Sequence, residues 1–241
     1  MRSGYFLLVL LGLFIAPLSG QESYLSLSLG GSFPRADFAE SSVTGTDGFA
    51  GSSFTMGFDG TWFSGMLGAA ATLNFGMSYL DDQALKEARI SRLGEIYSQV
   101  FLPPDATIDF VSTQWTYVHL MAGPVFSVEM PLLNLEARAL AGGSFLMPPV
   151  QELTVTSAGN TWTSNASGQS VRLGYLIGGA VLVHPNPGYG IRLGLDYLTT
   201  RAGYNVHYNL DQGALDNNRV DEKESIAVNI LHTTVGIFYN F

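Results

Sequence analysis

No cysteine occurs in the 241 residues. That excludes disulfides, thiolate metal sites and a lipid-modified N-terminal cysteine, and it leaves the redox compartment open. Charge is scarce as well. Only 13% of residues are Asp, Glu, Lys or Arg, few for a soluble helical protein, while a hydrophobic content of 46% is too high for a disordered chain. The charge present has the wrong sign for nucleic acid, with 11 Lys and Arg against 20 Asp and Glu, a formal net charge of −9. Long apolar runs are missing too, with one N-terminal exception. Elsewhere no segment approaches the ~20 apolar residues that a membrane helix requires; the best, residues 173–183, is half that length and rich in Gly and Val. Mean hydropathy is nonetheless +0.21.

The exception is at the start. Met1-Arg2 supplies a positive charge, residues 5–16 are almost unbroken apolar, and Pro17 precedes Leu18-Ser19-Gly20-Gln21. The pattern is that of a secretory signal peptide with cleavage expected after Gly20, although Leu18 is larger than the small residue preferred there. The alternative is an uncleaved anchor. The expected division is a signal at 1–20 and one domain at 21–241. Only helices and closed barrels satisfy their backbone hydrogen bonds inside lipid, so an exported apolar chain without a spanning helix enters a membrane only as a barrel.

What the chain does contain is alternation, the period-2 pattern of strands that span a bilayer. Tyr24-Leu25-Ser26-Leu27-Ser28-Leu29-Gly30 puts Leu25, Leu27 and Leu29 on one face and Ser26, Ser28 and Gly30 on the other. A second segment, ending near Phe63, sets Phe54, Met56, Phe58 and Trp62 against Ser53, Thr55, Asp59 and Thr61. After a Ser64-Gly65 turn, a third sets Leu67, Ala69, Ala71, Leu73, Phe75, Met77 and Tyr79 against Gly68, Ala70, Thr72, Asn74 and Ser78. The fourth (116–128) and fifth (133–145) meet at Met130-Pro131, and the sixth (171–183) and seventh (191–197) at Pro185-Asn186-Pro187-Gly188. The eighth carries Leu231, Thr233, Val235, Ile237, Tyr239 and Phe241 on one face.

The connections alternate in length. Residues 81–112 form a long one, in which Asp81 and Asp82 cap a short helix bearing Ile90, Leu93, Tyr97 and Val100, stopped by Pro103-Pro104. Residues 148–169 form another, with Ser157-Ala158-Gly159-Asn160 at the tip of a protruding hairpin, and the polar stretch 199–224 a third. Short turns follow strands two, four and six. This predicts an all-β, transmembrane, antiparallel up-and-down barrel of about eight strands, with short periplasmic turns, long extracellular loops and both termini periplasmic. A soluble sandwich or lipocalin-type barrel also alternates. Its polar face, however, would be rich in Lys and Glu, whereas here that face is mostly Ser, Thr, Gly and Asn.

The closing segment Leu231-His232-Thr233-Thr234-Val235-Gly236-Ile237-Phe238-Tyr239-Asn240-Phe241 resembles the terminal β-signal of outer-membrane proteins. The whole mature chain resembles the small OmpA/OmpX-like eight-stranded barrels of the porin or outer-membrane β-barrel class. The resemblance implies a bacterial outer membrane, contact with its lipids and lipopolysaccharide, and insertion by the barrel-assembly machinery, which reads Tyr239 and Phe241. It implies no cofactor. Three roles stay open: a non-enzymatic structural or interaction barrel that offers acidic, flexible loops to an extracellular or envelope partner; a narrow or hydrophobic-solute channel; and an enzyme that modifies lipid A. The first is the expectation.

Asp59, Glu136, Arg138, Arg172, Arg192 and Asp196 all fall on the face opposite the aliphatic one. An eight-stranded barrel is just wide enough inside for side chains, and charges there must pair. The expected outcome is an ion-pair cluster that plugs the lumen, with Asp59, Glu136, Arg138 and Arg192 at one depth near the short turns and Met66 and Leu140 filling the remaining space. The alternative is a selectivity ring. His119, His184, His207 and His232 lack metal-ligand spacing and are expected to pack, and no metal is expected. Tyr24, Trp62, Phe63, Tyr79, Trp115, Tyr189, Tyr197, Tyr239 and Phe241 are expected in two interfacial girdles.

Overall fold

Alternating segments pair edge to edge until the last meets the first. The computed structural model describes residues 23–42, 47–97, 106–157, 160–186, 188–211 and 218–241; the expected signal segment, Val100, Pro103-Pro104 and the Ala158-Gly159 tip lie outside them. The elements are β1 (Tyr24–Arg35), β2 (Ser53–Ser64), β3 (Leu67–Ser78), α1 (Asp82–Ile96), β4 (Thr107–Ser112), β5 (Trp115–Glu129), β6 (Leu133–Met147), β7 (Gln151–Ser157), β8 (Asn160–Ser167), β9 (Ser170–Asn186), β10 (Tyr189–Asp211) and β11 (Asn218–Asn240). Eight of them form an antiparallel ring in the order β1-β2-β3-β5-β6-β9-β10-β11, and β11 returns to β1 from Tyr24↔Asn240 to Arg35↔Asn229. Ring strands run from 12 to 23 residues, enough for the ~9–11 that a tilted transmembrane strand needs.

The ring is turned inside out relative to a soluble barrel. On β1, Leu25, Leu27 and Leu29 are 39%, 49% and 49% exposed while Ser26, Ser28 and Ser32 are buried. The same holds around the circumference, with Phe58, Leu73, Leu120, Leu135, Ile177, Leu195 and Ile237 outward and Asp59, Thr72, His119, Glu136, Asp196 and His232 inward. Water would not favour this arrangement; hydrocarbon does. The barrel is therefore a transmembrane one, with an outward aliphatic belt.

At one end lie the short turns. Gly65 takes a φ of +67°, the left-handed region in which glycine meets no Cβ penalty. Met66 beside it is 56% exposed, so it does not fill the lumen; Leu140 is buried. Three of the expected girdle aromatics, Tyr24, Phe63 and Trp115, are also buried, inside the barrel. The alternation itself requires this, since Tyr24 and Phe63 share the parity of the serine and aspartate faces of β1 and β2. Tyr79, Tyr189, Tyr197, Tyr239 and Phe241 do point outward.

The other end departs from expectation. Residues 199–211 and 218–224 are not a polar connection: β10 and β11 continue through them, paired up to Leu210↔Asn218. Ala202, Tyr204, Val206, Tyr208 and Leu210 are buried while Asn205 is exposed. β8 pairs with this upper part of β10, β7 with β8, and β4 with β7, giving a five-stranded sheet above the belt. Helix α1 packs beneath it. The Asp81 carboxylate accepts from the Ala84 N–H at 3.1 Å, an N-cap that also suits the helix dipole. Leu85, Arg89 and Leu93 form the buried face of α1, and Leu93 shares an apolar core with Phe38, Trp115, Leu153, Val155 and Trp162. The described parts of the long connections are thus folded into a cap.

Candidate functional site in the lumen and its cap

Across a ring of eight, strands four places apart face each other over the full diameter. β1 and β6 stand in that relation, and the Tyr24 hydroxyl donates to Glu136 Oε2 at 2.6 Å. Tyr24 also packs against Phe238, with ring centroids 5.5 Å apart, and Phe63, at 6.5 Å. The short-turn end is therefore floored by three aromatic rings and one carboxyl.

Above that floor lies the charge cluster. Arg138 of β6 donates through Nη1 to Asp59 Oδ1 at 2.5 Å and, in a bidentate pair, through Nε and Nη2 to the two Asp196 oxygens at 2.9 and 2.6 Å. Asp59 on β2 also accepts from Ser26 Oγ at 3.3 Å and lies 3.6 Å from Arg192 Nη1. All four charged groups are buried. The six lumen candidates thus divide. Asp59, Arg138, Arg192 and Asp196 meet; Glu136 sits one layer below and takes the Tyr24 phenol; Arg172 is exposed. The reason for the last is local. β9 pairs with β10 only as far as Thr199↔Tyr175, so residues 170–174 part from β10 and Arg172 leans outward. Its Nη2 lies 3.5 Å from where a Cβ on Gly203 would stand.

A glycine makes the cluster possible. A Cβ at Gly178 would lie 2.1 Å from Asp196 Oδ1 and 2.6 Å from the Leu195 carbonyl oxygen. Gly178→Ala should therefore displace Asp196 from Arg138 and cost about 1–3 kcal/mol, the usual range for overpacking. Urea unfolding in micelles checks this; an unchanged midpoint would refute it.

Higher in the lumen, Tyr117 stacks on His119 at 5.1 Å and tilts against His232 at 6.1 Å. Its hydroxyl is hydrogen-bonded to Ser32 across three strand steps. Trp115 then donates to the Gly48 carbonyl at 2.8 Å and meets Phe38 edge-on at 5.2 Å. His184 lies edge-on to Phe238, and His207 bonds Asp221 on the outer hairpin at 2.7 Å. Among the described residues no three His, Cys, Asp or Glu side chains form a metal-binding group.

The cap has its own ionic centre, which alternation alone does not reveal. Arg89 of α1 donates to Glu224 Oε1 and Oε2 at 2.5 and 2.9 Å, to Gln151 Oε1 at 2.8 Å, and to the Tyr208 and Tyr204 hydroxyls at 3.2 and 3.3 Å. One guanidinium thus ties the helix to β7, β10 and β11. Burial works against ionisation of Glu224, but the Arg89 hydrogen bonds and charge prevail and hold its carboxyl below the usual range. Burial and the same carboxylate push the Tyr204 phenol up. The sequence signal for this centre is an arginine at the middle of a helical face otherwise made of Leu85 and Leu93.

No family model matches this chain, and no curated protein does. Solved structures with similar architecture include the outer membrane protease OmpT from Escherichia coli (10% identity, 94% of this chain and 99% of that one covered, TM-score 0.45). A major outer membrane protein from Thermus thermophilus is similar at 15% identity, 91% and 99% coverage and TM-score 0.42. Neisserial surface protein A is similar at 12% identity, 91% and 97% coverage and TM-score 0.39.

Proposed function

We propose that this chain is an exported bacterial outer-membrane barrel that passes no solute and holds a folded sheet at the cell surface for an extracellular or envelope partner. The observation that carries the reading is the obstruction of the lumen at successive depths. A hydrogen bond spans its full diameter from Tyr24 to Glu136, the Arg138 cluster lies above it, and the apolar core of the cap covers the far mouth. A channel needs a continuous polar path, and these layers interrupt it. On this reading the short turns are periplasmic and the cap is extracellular. The outer face of the cap is a polar array whose central row is Asp109, Thr154, Thr163, Asn209 and Arg219, each paired with the next across the strands. Planar-bilayer recording tests the closed lumen. The expected trace is flat; a large, steady conductance from the unmodified protein would overturn the proposal.

Assembly is the second element of this reading. Tyr239 and Phe241 are each 61% exposed on the outer surface, and the Phe241 N–H donates to the Ser23 carbonyl at 2.9 Å. Their side chains add nothing to the lumen, which supports a role in recognition by the assembly machinery. Deleting Phe241 should lower the amount of protein in the outer membrane while leaving refolding into detergent micelles nearly unchanged. Unaltered levels in cells would refute this role.

A further inference from the structure

On the outer face of the cap, six polar side chains form a block two rows deep and three strands wide. Thr163, Asn209 and Arg219 make one row, each paired with the next, and Asn165, His207 and Asp221 make the other. Strand spacing and rise set the block at roughly 10 by 7 Å. Over it lies a hollow of about 510 Å³, lined by all of these residues except Asp221. Its floor is firm. The alternate residues of β8 and β10, Trp162, Ala166, Val206, Tyr208 and Leu210, are buried in the apolar core beneath, and Arg89 holds the Tyr208 hydroxyl from below.

Within the block the charges answer one another. Arg219 donates through Nε to Asp221 Oδ1 at 2.7 Å, and His207 Nδ1 meets the same oxygen at 2.7 Å. These hydrogen bonds, that of Arg219 first, hold the Asp221 carboxyl below the usual carboxylate range. An ionised carboxylate only accepts, so the proton between it and the ring sits on Nδ1. Arg219 Nη2, 3.1 Å from that nitrogen, is then a neighbour and not a donor to it. Thr163, Asn165 and Asn209 make no side-chain hydrogen bond to any described residue. The lining thus offers a hydroxyl, two amides that both donate and accept, an imidazole nitrogen and a guanidinium edge, with no apolar side chain. Small-molecule pockets are mostly apolar; this one suits a ligand that is itself rich in hydroxyls. Around the block Glu152, Asp211 and Asp221 outnumber Arg219 and Lys223, which disfavours an acidic ligand. A peptide strand adds to a sheet edge, and β10, paired with β8 and β11 on its two sides, presents none here.

We propose that this hollow binds a neutral saccharide, one pyranose residue of a glycan seated over the block with its hydroxyls on Thr163, Asn165, His207 and Asn209. The inference rests on the reading of the cap as a surface display and names the chemistry of its partner. Folded protein in detergent micelles, checked by heat-modifiable gel mobility, is laid on a printed array of neutral mono- and oligosaccharides that includes lactose beside its sialylated and sulfated forms. Neutral sugars should be retained in preference to the acidic ones. The triple variant Thr163→Ala, Asn165→Ala, Asn209→Ala should lose about a hundredfold in affinity for the best of them, the scale of three hydrogen bonds. Its gel mobility should stay that of the parent, since none of the three side chains is buried. Asn205→Ala, one row outside the block, should bind as the parent does. Retention of acidic glycans alone, retention of none, or an unchanged affinity in the triple variant would overturn the proposal. Binding in micelles does not depend on conductance. A conducting barrel whose cap still holds a neutral sugar would count against the closed lumen and not against this site.

Discussion

Replacing Arg138 with alanine should lower the stability of the barrel by about 3–5 kcal/mol, the cost of leaving a buried counter-charge without its partner. Two carboxylates are affected at once. Asp196 loses a bidentate pair and Asp59 its 2.5 Å contact, while Arg192, at 3.6 Å from Asp59, is too far to replace it. Urea titration in micelles, followed by heat-modifiable gel mobility, measures the loss. The effect belongs to the unpaired charge, not to the worth of the pair. Accordingly, Arg138→Met and Arg192→Met combined with Asp59→Leu and Asp196→Leu should recover most of it. A single variant within about 1 kcal/mol of the parent, well short of that range, would mean the cluster is not a structural plug.

Arg89→Ala should open the cap and leave the barrel closed. Its guanidinium is the link from α1 to Glu224, Gln151, Tyr204 and Tyr208, and the loss, again about 3–5 kcal/mol, is confined to contacts above the belt. Trp115 and Trp162 are buried beneath the cap sheet, so their fluorescence should shift to the red at urea concentrations that leave gel mobility unaltered. Acid should act on the same joint. The folded Glu224 carboxyl is held below its ordinary value, so its contribution is present above the unfolded pKa of about 4.3 and is lost as pH falls through the lower folded value. The parent cap should therefore loosen in acid below about pH 4, whereas in Glu224→Gln this dependence should be absent. Identical acid profiles for parent and variant would sink the assignment.

The barrel was legible in the sequence because lipid and lumen impose opposite polarities on adjacent residues. Leu25-Ser26-Leu27-Ser28 states that rule in four letters, and the same rule placed Asp59, Arg138, Arg192 and Asp196 inward. Two things escaped it. Arg172 obeys the parity but not the position, because the end of β9 leaves its neighbour. The upper hairpin, with Tyr204, Val206, Tyr208 and Leu210 alternating against Asn205, His207 and Asn209, carries the strand signal plainly. Its polar partners made it read as a loop, since alternation cannot say whether hydrocarbon or water lies outside. The partners of Glu136 and Glu224 were hidden for another reason. Tyr24 and Arg89 come from distant segments, and nothing short of the ring order brings them together.

The outer sheet draws β4 from one connection and β7 and β8 from another, and among the described residues its strand pairing with the barrel runs through β10. That strand lies later in the chain than all three. Without it they are a small three-stranded sheet with no barrel edge to extend, a marginal structure in water. The polar array on the outside thus comes into being only when the final hairpin has been laid down. A ligand or antibody that reads across Thr154, Thr163 and Asn209 would recognise the completed molecule and pass over its unfinished precursors.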